Sequence, residues 1–509
     1  MLASWKGKVT KGGSGNTGWI TFPAKIRKNL ENDVKHEHMY NVNIKCCSER
    51  EYSLHVRLRK TGYSFGFYIP AHIVEKEKLI TSEICVSVFN TEYYSGRISS
   101  DKRVSIPLDI VKEMNIQPKD LYKVEFKIDN ITYTEIVIIN ITDRYDNRSD
   151  EYNFTVRMNE VSVSSDILVK ITDKIKTISK SNTNIINGNI FSVSMFDDNS
   201  IIGDLGENIL VFNGNHVPLI VKKYINIETY SHYFGCYYAD GTKKANDFSI
   251  NASTPEQAIY YLKIINEILF HHKRYFRLTY TVKPYDIRDE DTIKNNLISY
   301  WHEKANVLIE SRNIKLIRTS SDKIRNWSPR GSLRIIVSLG LALQFHVNIM
   351  NLIVKYIKDN NNRILMWSFL FGIMEGDGYV SGGKEGFGLG IATSKDDIII
   401  RESLNKLQIN YSVDSSRTND GVSLGIQISF GLIQVLNNLE ILNKNLFIYY
   451  PKRRKIFTER LLNKPTVVSI LKNENIHADN SKTKNILLSL QEELSSLTEA
   501  YDTLFNTYT

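Results

Sequence analysis

Apolar and polar positions over residues 1–200 fall into a recurring unit. "ITFPAKI" (20–26), "FYIPAHI" (67–73) and "VSIPLDI" (104–110) share the order apolar-x-apolar-Pro-x-x-Ile, and "VSVSSDI" (161–167) is a degenerate fourth with Ser164 in the place of Pro. The pattern predicts a short strand that stops as a helix starts. Pro fixes φ and lacks an N–H, which suits a first helical turn, and Ser can cap the same place. Alternating runs precede each unit ("KGKVTK", "LHVRLRK", "YYSGRIS", "NFTVRM") and follow it ("MYNVNIK", "EICVSVF", "YKVEFKI", "IFSVSMF"). The predicted unit is therefore strand, strand, helix, strand. One unit is too small to bury its own apolar faces, so one is expected to pair with two, and three with four.

Further along, two stretches depart from what a helix interior prefers. "YFGCYYADG" (233–241) and "FLFGIMEGDG" (369–378) each place small residues four apart, Gly235 with Ala239 and Gly372 with Gly376, then end on Asp-Gly. Gly costs a helix roughly 1 kcal/mol relative to Ala, so something must offset it. Residues i and i+4 share a face, and a face without side chains lets a second backbone approach closely. Two such faces packed together bring Asp240 and Asp377 to one end, where Gly378 suits a left-handed helix terminus. Adjacent carboxylates repel unless a cation sits between them. Mg²⁺ uses few carboxylates and keeps phosphate and water as its other ligands, so the pair points to metal-assisted phosphodiester chemistry.

Matching sequence follows both stretches. "FSINASTPEQAIYYLKIINEIL" (248–269) aligns with "GLGIATSKDDIIIRESLNKLQI" (388–409), each a strand and then a capped helix. Thr254 with Gln257 forms one capping box, and Ser394 with Asp397 resembles another. Residues 314–338 align with 411–430 as long hairpins, the second turning at Asp420-Gly421. Residues 285–313 read as an insertion in the first half only. The most apolar stretch, "LRIIVSLGLALQFHVNIMNLIVKYI", carries Arg334, Gln344 and His346 and reads as a core strand and helix rather than a membrane span. Beyond Pro465, leucines in a 3-4 spacing predict either a short coiled coil or one amphipathic helix docked on the body.

Composition narrows the class. The 509 residues carry 65 Lys and Arg against 56 acids, a net charge of +9 that favours a polyanionic partner. The length allows two or three domains. The 4 cysteines show no disulfide or metal-ligand spacing, and the first residues, "MLASWKGKVTKGG", form no apolar leader, which together fit a cytoplasmic protein. A self-splicing intein is not expected, because "FNTYT" has no His-Asn pair and Met1 is no nucleophile.

At the two Gly-faced stretches the chain resembles the LAGLIDADG homing endonuclease family, over residues about 222–462. The N-terminal repeats resemble SpoVT-AbrB swapped-hairpin DNA-binding domains. The implied fold class is α+β: tandem swapped-hairpin β-rich modules, then a pseudo-two-fold αββαββα-type domain. The expected segments are 1–92 (repeats one and two), 93–200 (repeats three and four), 222–360 (first half-domain), 361–462 (second half-domain) and 463–509 (helical tail).

The resemblance implies that Asp240 and Asp377 bind Mg²⁺ or Mn²⁺ and carry the chemistry. The earlier acidic position is Tyr238 in one copy and Glu375 in the other. A basic residue near the scissile phosphate is expected, and Lys452 in "YYPKRRKIFTERLL" is the candidate. The expected partner is double-stranded DNA, held by a monomer with internal pseudo-symmetry on a saddle-shaped sheet whose ribbons enter the major groove. Candidate DNA-binding residues are Lys315, Arg318, Lys323, Arg325, Arg330 and Arg334 in the first half, with Arg417, Asn419 and Gln427 in the second. Site-specific cleavage is one expected function and a non-cleaving transcriptional regulator the other. For the repeats, a protein-binding platform stands beside DNA contact.

Overall fold

Proline punctuates the repeats, one residue earlier than expected. Pro70 (φ −56°) and Pro107 (φ −57°) are the residues before the helices Ala71–Glu77 and Leu108–Glu113, not members of their first turns. Their fixed φ ends the strand, and the missing N–H costs nothing there. The computed structural model describes residues 3–506 apart from 13–15, 30–38, 47, 62–63, 91–92, 129–130, 143–150, 158–165, 178–184, 187–189, 193–199, 214–217, 245, 271–272, 283–285, 320–329, 382–385, 394–396, 418–423 and 473–477. The chain is a mixed α+β protein built largely on small antiparallel sheets, and it divides into residues 1–177 and 178–509. No helix of the described residues is long and apolar enough to cross a membrane.

In the first unit the repeats interleave. One four-stranded sheet runs in the order Ala3–Lys8, Glu83–Asn90, Met39–Lys45, Glu51–Arg57. The first strand of repeat one therefore pairs with the last of repeat two, and the last of repeat one with the first of repeat two. A second sheet places Gly18–Thr21 against Ser64–Ile69, with Ile20 opposite Phe67. Both of those side chains are fully buried, with Val42, Ile44 and Val86, in a core of their own. Neither repeat closes its core alone.

Residues 94–175 repeat this topology: Tyr94–Arg97, Asp166–Ile175, Leu121–Ile128, Ile131–Ile138. Repeat four therefore differs from the expected one. Its last strand is Asp166–Ile175, whereas "IFSVSMF" belongs elsewhere, since Ile190–Ser192 pairs with Tyr224–Asn226 in the second unit. The second module accordingly closes by residue 177 rather than 200. The strand equivalent to those before Pro is Glu151–Thr155, because Phe154 lies opposite Val104 as Phe67 lies opposite Ile20. Arg157, not Ser164, stands at the proline position, and Ser164 lies outside the described residues. Arg157 has the N–H that Pro lacks. It donates to both carboxylate oxygens of Glu135, at 3.1 and 3.2 Å.

After Ile190–Ser192 the second unit continues with strands that the sequence pattern did not reveal. Ser200–Asp204, Asn208–Asn213 and Leu219–Lys222 form an antiparallel sheet completed by Leu269–Phe270. The helix Ile227–Asp240 follows, then the sheet Phe248–Ala252, Ser332–Val337, Tyr275–Val282, Ile314–Arg318. The helix Arg363–Asp377 begins the second half, whose sheet runs Gly378–Ser381, Gly388–Thr393, Leu424–Gly431, Ser412–Arg417.

Comparing the two sheets corrects the alignment of the halves. Residues 314–338 are not a hairpin. The strand across from Ser332–Val337 is Tyr275–Val282, while Ile314–Arg318 runs parallel to Tyr275–Val282 at the sheet edge. A parallel return needs a crossover, and the helix Glu290–Ala305 supplies it. The insertion thus comprises this helix together with the edge strand, more than the expected 285–313.

Capping also differs between halves. Thr254 accepts from the Gln257 N–H (3.2 Å), and Gln257 Oε1 accepts from the Ser253 N–H (2.8 Å). Ser394 lies outside the described residues, and Asp397 caps nothing with its side chain, which pairs with Arg401 instead. The tail helix Ala478–Asn506 docks on the body rather than forming a coiled coil. Leu487 and Leu490 are fully buried, and Glu493 receives a bidentate pair from buried Arg454 at 2.9 and 2.8 Å.

Arg157→Pro should destabilise the second module by about 1–3 kcal/mol, because Glu135 would lose both N–H contacts. Arg157→Ala keeps that N–H and should cost less. The urea midpoint of the transition arising from residues 1–177 checks the difference.

Candidate active site at two paired helix ends

The helices Ile227–Asp240 and Arg363–Asp377 touch backbone to backbone. A methyl group on Gly235 would overlap the carbonyl oxygen of Phe369 and lie 3.0 Å from the Gly372 Cα. One on Gly372 would overlap the His232 carbonyl oxygen and lie 2.8 Å from the Cys236 nitrogen. The contact continues toward the C-terminal ends, where a methyl on Gly376 would meet Asp240 Oδ2 at 2.5 Å and the Ala239 Cβ at 2.6 Å. All four small residues therefore lie in the contact. The N-terminal ends are tied as well. Asn226 and Asn362 cap the helices, and the Asn362 amide also donates to Glu228 Oε1 at 2.6 Å.

Both helices stop on their aspartates, and the glycines after them are not left-handed. Gly241 has φ −83° and Gly378 φ −73°, both extended. Space is what demands glycine at these positions. A methyl on Gly378 would sit 2.8 Å from the Met374 Cα, and one on Gly241 2.5 Å from the Tyr237 carbonyl oxygen. Each chain then leaves the helix directly for its sheet, Gly378 pairing with Ile391 and Gly241 bridging to Ile250. Asp240 and Asp377 are half-buried where these departures occur.

The residues two positions before the aspartates differ. The Tyr238 ring lies 5.8 Å from that of Phe369, and Lys243 sits over its face at 5.2 Å while donating to its carbonyl oxygen. Glu375 is fully buried. Its Oε1 accepts from the Tyr449 N–H at 3.2 Å, and its Oε2 is buried with no hydrogen-bond partner among the described residues. Burial pushes the Glu375 carboxyl up to about 8, offset only in part by the Tyr449 N–H and the charge of Arg453.

Arg453 is a site residue that motif spacing missed. Its Nη1 donates to the carbonyl oxygens of Met374 (3.1 Å), Glu375 (2.8 Å) and Gly376 (2.8 Å), the unsatisfied end of the second motif helix. A cation at a helix C-terminus also complements its dipole. Lys243 does the same for the first helix. Lys452, the sequence candidate, lies in the first turn of the helix Pro451–Leu462, and partial burial lowers its ammonium from the ordinary value. The only sequence signal for Arg453 was the density of basic residues after Pro451.

The sheet surfaces sort the proposed DNA-binding residues. Lys315 and Arg334 are exposed, and Arg334 donates to Ser249 Oγ at 2.9 Å and Thr242 Oγ1 at 3.3 Å. Arg277, which sequence reading passed over, is exposed directly opposite Arg334. Arg318 alternates onto the other face from Lys315 and pairs with Glu290 of the inserted helix at 3.2 Å. Arg330 lies over the Tyr300 ring at 5.4 Å. Gln427 is half-buried opposite Asp414. Lys323, Arg325, Asn419 and the Arg417 side chain lie outside the described residues.

Carboxylate oxygens are the hard donors that Mg²⁺ or Mn²⁺ takes. Asp240 and Asp377 end two adjoining helices, and Asp240 Oδ2 lies against Gly376, the residue before Asp377. Among the described residues no group of three or more His, Cys, Asp or Glu side chains is placed to hold a metal. The remaining ligands would have to be water and phosphate.

Gly372→Ala should destabilise the second unit by at least about 1–3 kcal/mol through overpacking against backbone, whereas Gly386→Ala, which meets nothing within 4 Å, should not; thermal unfolding separates them. A second outcome concerns pH. Because folding raises the Glu375 pKa, the native state holds a proton that the unfolded chain has released between about pH 4.3 and about 8. Stability attributable to Glu375 is therefore lost as pH rises through that window and is level above it. Glu375→Gln should flatten this decline in denaturation midpoints measured from pH 5 to 8. Comparison of the chain with protein-family models and with curated proteins gave no match to either.

Proposed function

We propose that the chain is a site-specific double-stranded DNA endonuclease of the LAGLIDADG type, preceded by SpoVT-AbrB-like modules that add contact to the same polyanion. The observation that carries the proposal is the backbone-to-backbone helix pair ending in Asp240 and Asp377. The net charge of +9 and the exposed Arg277, Arg334 and Lys315 support a nucleic-acid partner, as do exposed Lys6, Lys8 and Lys11 in the first module.

In this reading Asp240 and Asp377 hold Mg²⁺ or Mn²⁺, which when bound supplies an activated water and stabilises the departing oxygen of the phosphodiester. The residues do the positioning. Gly235, Gly372 and Gly376 set the helix separation, and the carboxylates ride on helix ends fixed by Lys243 and Arg453. The Arg277 and Arg334 guanidinium groups hold the duplex against the sheet, and Lys452 is retained as the basic group facing the phosphate. A non-cleaving regulator is the second reading. The specific observation in its favour is Tyr238, an aromatic side chain packed on Phe369 where the family motif carries an acid.

Asp240→Asn and Asp377→Asn should each abolish cleavage of a bound duplex in Mg²⁺ while leaving affinity intact or improved, since a carboxylate beside phosphate is removed. Affinity should fall as salt rises, through counterion release. Cleavage should need Mg²⁺ or Mn²⁺ and fail in Ca²⁺. Digestion and gel-shift assays on duplexes from a randomised library read all three. Unaltered protein that binds a defined duplex yet never nicks it in Mg²⁺ would select the regulator.

A further inference from the structure

The two sheets can be superposed residue by residue through their ladders. Gly241 bridges to Ile250 and Gly378 pairs with Ile391, so these pairs are equivalent. Ile250 lies opposite Ile335, and Ile391 opposite Ile428. One step along, the outward row of the first sheet is Asn251, Arg334, Arg277. The equivalent row of the second sheet is Ala392, Gln427, Asp414. Asn251, Arg334, Arg277, Ala392 and Asp414 are exposed, and Gln427 is half-buried.

These rows occupy the same place relative to their motif helices, yet their chemistry is opposite. The first presents only donors from its two arginines, which face each other across the ladder although like charges so placed repel. The second presents an amide and a carboxylate. Neither Arg277 nor Asp414 has an ion-pair partner among the described residues. An exposed carboxylate on a surface that meets phosphates is repelled by them, and is tolerated where it accepts a hydrogen bond from a base. Exocyclic amines, N4 of cytosine and N6 of adenine, are the donors that a major groove offers. A single arginine matches the O6 and N7 acceptors of guanine, and Arg277 is the one of the two not already donating to Ser249 and Thr242.

We infer that Asp414 and Gln427 read an amine-bearing base in one half of the target, while Arg277 reads guanine at the symmetry-related position, so that the target is unsymmetrical at that pair of positions. This inference rests on the proposed function, from which it takes the duplex as ligand.

The test is selection of the full chain on a randomised duplex library in Ca²⁺, followed by affinities for single-base variants of the selected site. Asp414→Asn should lower the preference for one amine-bearing base at one base pair on the order of ten-fold, with other positions unchanged. Arg277→Gln should relax guanine preference at the related base pair. Asp414→Arg combined with Gln427→Arg should shift the second position toward guanine and make the selected site more palindromic. Uniform tightening of every duplex by Asp414→Asn, with base preferences intact, would overturn the inference while leaving DNA binding in place. Failure of the unaltered chain to enrich any duplex would overturn both the inference and the reading beneath it.

Discussion

Everything in the second unit depends on one close approach, that of two helix backbones at Gly235 and Gly372. Side chains normally hold helices 8–10 Å apart, and glycine removes that spacer. Without it, the carbonyl oxygens of Phe369 and His232 fill the space where a methyl would stand. This contact sets the separation of the helix ends, and the helix ends carry the aspartates. Gly376 extends the same logic by leaving room for the Asp240 carboxylate itself. The local penalty of glycine in a helix is offset by tertiary packing that no larger residue permits.

Around this contact the two halves solve shared problems with different residues. Each helix end needs a donor for its last carbonyls, and the first uses Lys243 whereas the second uses Arg453 from a distant helix. Two positions before each aspartate, one half packs an aromatic ring and the other buries a carboxyl. The outward rows of the sheets diverge further, from paired arginines to Gln427 and Asp414. What the two halves share is thus backbone register. The solvent-facing chemistry is free to differ because no packing constrains it.

The features legible in the sequence are those with a local cause. Small residues four apart identify a close helix contact, and Pro after an alternating run identifies a strand end. The features that were not legible depend on contacts distant in sequence. Arg157 at the proline position hid the register of repeat four, because an N–H that bonds to Glu135 leaves no proline in the pattern. The strand Tyr275–Val282 was overlooked as the partner of Ser332–Val337 because an inserted helix and edge strand separate them in sequence. Arg318 and Lys315 look alike in a list of basic residues, and only sheet alternation puts them on opposite faces. Asp-Gly at a helix end suggested a left-handed cap, while the backbone is extended and the glycine answers to crowding instead.

The claim at the centre is that Asp240 and Asp377 belong to one site rather than two. Mn²⁺ titration of the full chain with a bound duplex, followed by electron paramagnetic resonance, tests it directly. Using unaltered protein, Asp240→Asn, Asp377→Asn and the double variant gives a complete cycle. One shared site requires that either single substitution weaken the same bound Mn²⁺ signal, with the double variant adding little. Independent, additive losses, or a signal indifferent to both aspartates, would contradict it.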